Sequence, residues 1–525
     1  MIMMKLRDTI YHKNYWAFII FLIVGFSIYA NSFIVPFFWD DNDNVVNNVY
    51  IKSWQYLPKY FSENLIAGSG LLSNYWRPLL LINYSLDYHF FGLNKYWWHF
   101  ENIFLHILNA FLIFLLLQYL IKKKWFAFLM SLIFLAHPVQ TEAITMITAR
   151  ADPLSLFFIL IAALCYVKDE YPVGRILAFA AALMTKETAI ILPALLILIE
   201  LCFPKEGRTF KSAALKILPF FILAGVYFLA RLTILNFNNT LNFYNDNSLF
   251  ATSTWVRILS FLKALSIYYG LLIFPHNLHM ERFFEPVTLI TPFLTFIFLI
   301  SLGLIVFSLW RFKSNRLYLF GTGWFFIALA PTSNILIPIN RILYEHWLYV
   351  PLIGFFIFLT AFLKEAVLML KNIYPAFFKL RYFLLAPIIG YLAFFCVLTI
   401  ERNSDWRNPI IFFNNVLKYN EKSLLAWNNL GMAYADESEF EKAKHAYERA
   451  IALDEKNESA PPHHNLGNLY KSAGMFDEAI KEYEKAIAID KNFFFSYNAL
   501  LDLYAKTKNF NEYNKILERL KNTPK

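Results

Sequence analysis

The chain has 525 residues, of which 58% are hydrophobic and only 16% are charged, against roughly 25% charged residues in ordinary soluble domains. This composition excludes a soluble fold for the whole chain. The net charge of +10 does not indicate a nucleic-acid partner, because the basic residues form short clusters between apolar runs, as in the cytoplasmic loops of membrane proteins. We therefore expect a lipid bilayer, and no nucleic acid, around the protein.

The apolar runs lie within residues 1–400, whereas residues 401–525 have the composition of a soluble protein. We predict an all-α chain with a polytopic membrane domain over 1–400 and a separate helical domain over 401–525. Several apolar runs are shorter than the ~20 residues that cross a bilayer alone, which favours a cavity beside them. The candidate spans are 16–38, 98–121, 125–137, 152–168, 174–185, 187–203, 211–233, 288–311, 317–338, 346–366 and 379–400.

The basic residues Lys5, Arg7 and Lys13 predict a cytoplasmic N-terminus. The apolar run 255–275 contains Arg257 and Lys263, and a crossing there would turn the later basic clusters outward. We therefore predict an amphipathic or re-entrant segment at 255–275. About eleven crossings follow, with the loop 39–97 and residues 401–525 outside the cytoplasm.

The C-terminal domain contains an internal repeat. The first copy has the tetratricopeptide pattern at Trp427, Leu430, Gly431, Tyr434, Ala443, Tyr447 and Ala450, and the second has it at Leu466, Gly467, Tyr470, Gly474, Ala479, Tyr483 and Ala486. A weaker third copy follows. We predict about three helix pairs, over 424–457, 460–493 and 494–525; a generic helical hairpin is the alternative.

Two adjacent carboxylates, Asp40 and Asp41, follow the first apolar run in the sequence Phe38-Trp39-Asp40-Asp41. A carboxylate at a membrane boundary can act as the general base for a hydroxyl acceptor, while a second one holds the acceptor or tunes the pKa of the first. The alternative is a solvated acidic cap after a helix. The spacing favours neither.

Further charged residues lie at the outer ends of the predicted spans, where the positive-inside rule does not explain them. They are Glu142, Arg150, Asp152, Lys186, Glu187, Arg282, Arg341, Glu345 and His346. Cations facing a membrane surface suit a lipid phosphate, because they neutralise charge on a departing phosphate. Structural ion pairs, such as Arg150 with Asp152 or Glu142 and Lys186 with Glu187, are the alternative. No histidine spacing matches a closed metal site, so no metal is assigned, although the sequence leaves a divalent metal open.

An ordered set of short motifs resembles the transmembrane and tetratricopeptide-repeat-containing O-mannosyltransferases, members of the GT-C glycosyltransferase superfamily. The set covers essentially the whole chain. It consists of Phe38-Trp39-Asp40-Asp41, His137-Pro138 with Glu142 and Arg150-Ala151-Asp152, Lys186-Glu187, the loop 275–286, Arg341 with Glu345 and Leu348-Tyr349-Val350-Pro351, and Arg402-Asn403-Ser404-Asp405-Trp406.

The resemblance implies a GT-C-type helical body that transfers a mannose-like hexose, with inversion, from a polyprenyl-phosphate donor to a hydroxyl on the non-cytoplasmic face. Carried over by position, Asp40 or Asp41 is the base. Arg150, Lys186 and Arg341 contact the lipid phosphate. The residues expected to shape the site are Glu142, Asp152, Glu187, Arg282, Glu345 and His346.

The repeat array is shorter than in the animal members of this family, which leaves open whether it holds an acceptor peptide, caps the site or recruits a partner. Protein serine or threonine is the expected acceptor, and a glycan is the alternative. The many Lys, Asn, Ile and Phe residues suggest a bacterial cell membrane and an undecaprenyl-like donor. Two other functions remain: a membrane glycan polymerase or ligase, and a non-catalytic repeat scaffold.

Overall fold

The computed structural model describes residues 2–237, 249–282, 284–339, 341–373 and 385–522. The regular elements within these ranges are all helical, which confirms the predicted all-α class. The chain divides into two compact units: Met1–Leu278 with Phe284–Trp406, and His279–Phe283 with Arg407–Lys525. Residues 379–384 of the last predicted span and 523–525 of the predicted third repeat lie outside the described residues.

Helices of the first unit begin where the sequence supplies caps or prolines. Asn94, Thr209, Ser253 and Thr291 each accept a hydrogen bond from a backbone N–H of the following first turn, which satisfies a donor that the helix leaves free. The α-helices are α1 (Ile2–Ile28), α2 (Leu57–Ser62), α3 (Pro78–Phe91), α4 (Lys95–Ile121), α5 (Lys124–Ala136), α6 (Thr141–Thr145), α7 (Ala151–Lys168), α8 (Pro172–Thr185), α9 (Leu192–Cys202), α10 (Phe210–Leu232), α11 (Leu249–Thr252), α12 (Thr254–Ile273), α13 (Pro292–Arg311), α14 (Leu317–Leu329), α15 (Pro351–Ile373) and α16 (Leu385–Ser404).

Many of these helices are suited to a bilayer. Within the described ranges, six helices are long and apolar enough to cross a membrane, and a pair bent by 52° at His137 would make a seventh. The six are Lys95–Ile121, Ile147–Lys168, Phe210–Leu232, Thr254–Ile273, Pro292–Arg311 and Pro351–Leu370. The chain is therefore a multi-pass membrane protein. The total of about eleven crossings stays a prediction.

Helix α12 is long and apolar enough to cross a membrane, and the placement of 255–275 as an amphipathic or re-entrant segment stays a prediction. Its two basic residues both have partners. The Arg257 guanidinium donates to the carbonyl oxygens of Phe250 and Ala251 at 3.3 and 2.8 Å, and the Lys263 ammonium lies 4.5 Å from the centre of the Phe284 ring. Both basic side chains of α12 are therefore satisfied within the protein.

Helices α14 and α15 pack closely through two glycines. A Cβ atom on Gly321 would lie 2.7 Å from the carbonyl oxygen of Gly354, and a Cβ on Gly354 would lie 2.5 Å from that of Gly321. Small residues allow such backbone contact between membrane helices. The close contact fixes the start of α15, just after the segment that carries Glu345 and His346.

The second unit consists of helix α17 (Pro409–Tyr419) followed by three helix pairs. The pairs are α18 (Leu424–Asp436) with α19 (Phe440–Leu453), α20 (Ala460–Ser472) with α21 (Phe476–Ile489), and α22 (Phe494–Lys506) with α23 (Phe510–Lys521). A Cβ on Gly431 would lie 2.6 Å from the ring of Tyr447, and one on Gly467 would lie 2.7 Å from the ring of Tyr483. The repeated glycine therefore gives each tyrosine ring its space against the neighbouring helix.

Candidate active site

The sequence Phe38-Trp39-Asp40-Asp41 forms a turn beyond α1. Trp39 has a φ of 57°, a left-handed conformation that costs an L-residue ~1–2 kcal/mol. The turn separates the two carboxylates: the side chain of Asp41 is buried, with 2% exposed, whereas that of Asp40 is exposed to solvent. Strained backbone of this kind is concentrated at functional sites.

Asp41 anchors the turn. Its Oδ1 accepts a hydrogen bond from the backbone N–H of Thr148 at 3.0 Å, and its Oδ2 accepts one from Phe38 N–H at 3.4 Å. Burial raises the pKa of Asp41 to about 7, although the two N–H donors oppose this rise. Because these bonds hold the carboxylate in the protein interior, Asp41 is placed to position its neighbour rather than to meet an acceptor.

Asp40 is the more exposed carboxylate of the two. The surrounding protein withdraws it from part of its water, which raises its pKa to about 6, and the negative charge of Asp43 adds to the rise. The positive charges of Arg341 and His346 lower it in turn. A carboxylate with this pKa is mostly ionised at neutral pH and can accept a proton from a hydroxyl.

His346 is held in place by Glu142. The fully buried carboxylate of Glu142 accepts from His346 Nδ1 at 2.7 Å and from its backbone N–H at 3.1 Å. Glu142 lies on the short helix α6, which follows the helix bend at His137-Pro138. The side chain of His137 stabilises this bend, because its Nδ1 accepts a hydrogen bond from the backbone N–H of Val139 at 3.2 Å.

A small cleft lies beside His346. The ammonium of Lys186, just after α8, is 2.7 Å from Asp152 Oδ1 in the first turn of α7, and both side chains are more than nine-tenths buried. The polar residues lining the cleft are Asp152, Ser155, Lys186, Thr188, Thr332 and His346. The predicted residues Asp152, Lys186 and His346 therefore share one cavity.

Arg77 and Glu187 form a second ion pair near this cleft. Arg77 Nε and Nη2 donate to the two oxygens of Glu187 at 3.1 and 2.7 Å, and the guanidinium lies 4.4 Å from the centre of the Tyr75 ring. Burial would raise the pKa of Glu187, but Arg77 lowers it to about 2. Glu187 directly follows Lys186 in the sequence, so the pair of Arg77 and Glu187 lies next to the pair of Lys186 and Asp152.

Sequence reasoning missed Arg77. The available signal was an arginine in the predicted outer loop, directly before the proline that begins α3, where the positive-inside rule gives no reason for a cation. A lone arginine at the start of a helix is a weak signal.

Arg150 lies apart from the cleft lining and is completely buried. Its guanidinium pairs with Asp87, with Glu101 Oε2 at 3.1 Å and with Asn102 Oδ1 at 2.6 Å. It also donates to the side-chain oxygen of Asn83 and the carbonyl oxygen of Trp98. A phosphate could reach Arg150 only if some of these contacts broke, so the geometry favours the structural alternative for this residue.

Three further predicted residues have different surroundings. Arg341 is close enough to Asp40 to lower its pKa. Glu345 is buried, with Oε2 3.5 Å from Arg402 Nη2. Arg282 belongs to the segment His279–Phe283 of the second unit.

Within the described ranges, no three His, Cys, Asp or Glu side chains are grouped as metal ligands. The catalytic and donor-binding roles stay predictions.

The Arg402-Asn403-Ser404-Asp405-Trp406 sequence packs against the turn that carries Asp40. Asn403 Nδ2 donates to the carbonyl oxygen of Ile28 at 2.9 Å and to Asn31 Oδ1 at 3.1 Å. The Trp406 ring lies 6.0 Å from that of Phe38, measured between ring centres. This motif therefore stabilises the segment from Ile28 to Phe38, which directly precedes Asp40.

Comparison with known proteins gives relatives along most of the chain. It is 26% identical to protein O-mannosyl-transferase TMTC3 of Mus musculus, over 79% of this chain and 48% of that protein. It is 27% identical to TMTC3 of Homo sapiens, over 80% and 50%, and 23% identical to protein O-mannosyl-transferase Tmtc1 of Drosophila melanogaster, over 84% and 62%. The chain is thus similar to the TMTC O-mannosyl-transferases along most of its length. The resemblance predicted from the sequence motifs is thus confirmed.

The chain spans about half the length of its TMTC3 relatives. A tetratricopeptide repeat model matches residues 422–492, which contain the helix pairs α18–α19 and α20–α21. The TMTC-like part of the chain therefore combines a membrane body with tetratricopeptide repeats.

Proposed function

We propose that the chain is a membrane glycosyltransferase of GT-C type, which transfers a mannose-like hexose from a polyprenyl-phosphate donor to a serine or threonine hydroxyl of a protein. The names of its relatives support the reaction class. The observation that carries the proposal is the position of His346, which lines the cleft of Lys186 and Asp152 and also lies within electrostatic range of Asp40. This position supports the proposal that a general base and a cation act at one site.

The chemistry is a single displacement. The acceptor oxygen attacks the anomeric carbon, the bond from that carbon to the phosphate oxygen breaks, and the configuration inverts. The acceptor proton passes to Asp40, while Lys186 and Arg341 neutralise the charge that develops on the departing phosphate. A general base of this kind contributes ~10²–10⁴-fold to the rate.

Asp40→Asn tests the base. In membranes supplied with a polyprenyl-phosphate sugar and a serine- or threonine-containing acceptor, we expect a loss of at least about 100-fold in transfer. Asp43→Asn is the matched control, since it removes a nearby carboxylate outside the pair, and should keep transfer within a few-fold. Full transfer by Asp40→Asn would refute the assignment. Transfer to glycan acceptors alone would favour the polymerase or ligase, and no transfer by the wild type would favour the scaffold.

We place the acceptor site and the repeats on the non-cytoplasmic face of a bacterial cell membrane, on the basis of the basic clusters in the opposite loops. A cysteine at Asn457, between two repeats, tests the sidedness once Cys165, Cys202 and Cys396 have been replaced. A membrane-impermeant maleimide should label it in intact spheroplasts. A cysteine at Glu206, in a predicted cytoplasmic loop, should react only after lysis; the reverse pattern would invert the topology.

A further inference from the structure

The C-terminal end of α10 places two polar side chains beside the pair of Arg77 and Glu187. Tyr227 and Arg231 are four residues apart and thus lie on one face of the helix. They are 9% and 8% exposed. Both interact electrostatically with Glu187 and Arg77. Neither residue stood out in the sequence, because an arginine that ends an apolar helix is common at membrane boundaries.

Arg231 has no carboxylate of its own among the described residues. Its Nη1 donates to the carbonyl oxygen of Leu235 at 2.8 Å, and its Nη2 donates to that of Asn74. These bonds hold the side chain in position, but the carbonyl oxygens do not neutralise its positive charge. The nearby Glu187 already accepts hydrogen bonds from two guanidinium nitrogens of Arg77, Nε and Nη2.

The two ion pairs and Arg231 together carry a net positive charge. Three cations, Arg77, Arg231 and Lys186, lie with two carboxylates, Glu187 and Asp152, which Arg77 and Lys186 already bind. A buried cation without a counter-ion is unfavourable, so this cluster suits an added anion. A purely structural role for Arg231, tying α10 to the outer loop, would account for its two carbonyl bonds but not for this excess.

The Tyr227 hydroxyl supplies an independent observation. It is enclosed by protein, yet it has no hydrogen-bond partner among the residues that the structure describes. The ring packs against Trp76, with 6.2 Å between the ring centres. Buried hydroxyl groups are nearly always bonded, and an oxygen of a bound anion beside Arg231 would supply the missing partner.

The position of this cluster indicates the kind of anion. Tyr227 and Arg231 lie near the end of a candidate membrane span, Phe210–Leu232, on its buried face. A lipid presents its phosphate at this depth, because its hydrocarbon chain stays in the bilayer.

We propose that Arg231, Tyr227 and Arg77 bind the phosphate of the lipid-linked donor together with Lys186, at this end of α10. The identity of the lipid as the sugar donor rests on the proposed function, whereas the phosphate site can be tested without transfer. Tyr227 and Arg231 then act in donor binding, next to the ion pair of Arg77 and Glu187.

Thermal unfolding of the purified full-length protein measures this binding directly. Farnesyl phosphate should raise the unfolding temperature of the wild type, whereas farnesol and inorganic phosphate at the same concentration should not. Tyr227→Phe and Arg231→Leu should each weaken the apparent affinity at least about tenfold, and Arg231→Lys less. Lys211→Gln, which removes an exposed cation at the other end of α10, should have no effect.

Tyr227→Phe separates binding from folding. It removes a hydroxyl that has no partner, so the unfolding temperature without ligand should stay level or rise. Wild-type affinity in both Tyr227→Phe and Arg231→Leu would overturn the proposal. Equal competition by phosphatidylglycerol would also overturn it, by identifying a general phospholipid site, and so would an equal effect of inorganic phosphate. Asp40→Asn should bind farnesyl phosphate with the affinity of the wild type. If the wild type binds farnesyl phosphate but transfers no sugar, the proposed function fails and the phosphate site remains supported.

Discussion

Glu142 binds a single residue, His346, through both of its carboxylate oxygens. One oxygen is 2.7 Å from the ring Nδ1 and the other accepts the backbone N–H at 3.1 Å. The buried carboxylate thereby fixes the proton on Nδ1 and leaves Nε2 for the cleft that His346 lines. The histidine is thus oriented before any substrate binds.

Glu142→Gln should disturb this orientation. The amide cannot accept both hydrogen bonds, and a bond to a charged group is worth ~1.5–3 kcal/mol, so we expect transfer to fall about 10- to 100-fold. Steady-state rates in membranes, normalised to the amount of folded protein, provide the measurement. Glu170→Gln, on an exposed loop, is the control. Unchanged kcat and KM for Glu142→Gln would show that His346 needs no such support.

The pH dependence of kcat/KM should report the pKa of Asp40. Because the base must be ionised, activity should rise with pH through about 6 and then level off. Arg341→Gln removes a charge that lowers this pKa, so its midpoint should move to higher pH. Asp43→Asn removes a charge that raises it, so its midpoint should move to lower pH. Shifts in the same direction for both variants would exclude Asp40 as the titrating group.

Asp41 should affect stability with a defined sign. Its pKa is raised from 3.8 to about 7 in the folded state, so its stabilising contribution is fully present below pH 3.8 and is lost as the pH rises through about 7. The unfolding temperature of the wild type, relative to that of Asp41→Asn, should therefore fall by a few degrees between pH 5 and pH 8. A difference that grows with pH would contradict this environment for Asp41.

Arg150→Leu should impair folding rather than donor binding. Removal of the guanidinium leaves Asp87 and Glu101 without their cation, and breaking a buried ion pair costs ~3–5 kcal/mol. We expect less folded protein in the membrane, measured by size-exclusion chromatography after extraction. The residual folded fraction should keep the wild-type affinity for farnesyl phosphate. Normal folding with a lost affinity would return Arg150 to the donor site.

Gly431→Ala should loosen the first repeat. The new methyl group would meet the Tyr447 ring at 2.6 Å, and overpacking of this kind costs ~1–3 kcal/mol. Hydrogen exchange of α18 and α19 in the full-length protein should become faster. Adding Tyr447→Leu should recover part of the protection, because the smaller side chain makes room; an additive loss would show that the two residues do not interact.

The sequence motifs identified several residues that the fold brings together, because a charge at the outer end of an apolar helix has few structural reasons to be there. Asp152, Lys186 and His346 line one cleft, with Asp40 and Glu142 beside them. The pairing of these charges was less accessible. Lys186 binds Asp152 rather than the adjacent Glu187, whose partner is Arg77, 110 positions away.

Arg77, Tyr227 and Arg231 show what a single sequence could not provide. Each is a lone polar residue at a helix end, and only the packing of α10 near the outer loop makes them neighbours. The surroundings of Arg150 were equally inaccessible, since its carboxylates come from α3 and α4. For α12, the sequence could not show that its two basic side chains contact carbonyl oxygens and an aromatic ring.

The hydrogen bonds from Asn403 to Ile28 and Asn31 join residues 375 and 372 positions apart. At a translation rate of ~5–20 residues per second, the ribosome needs roughly 20–75 s to deliver Asn403 after α1 has emerged. The turn that carries Asp40 therefore gains this support only after α16 has been synthesised. The proposed site of a nascent chain stays incomplete until the first unit has been made almost to its end.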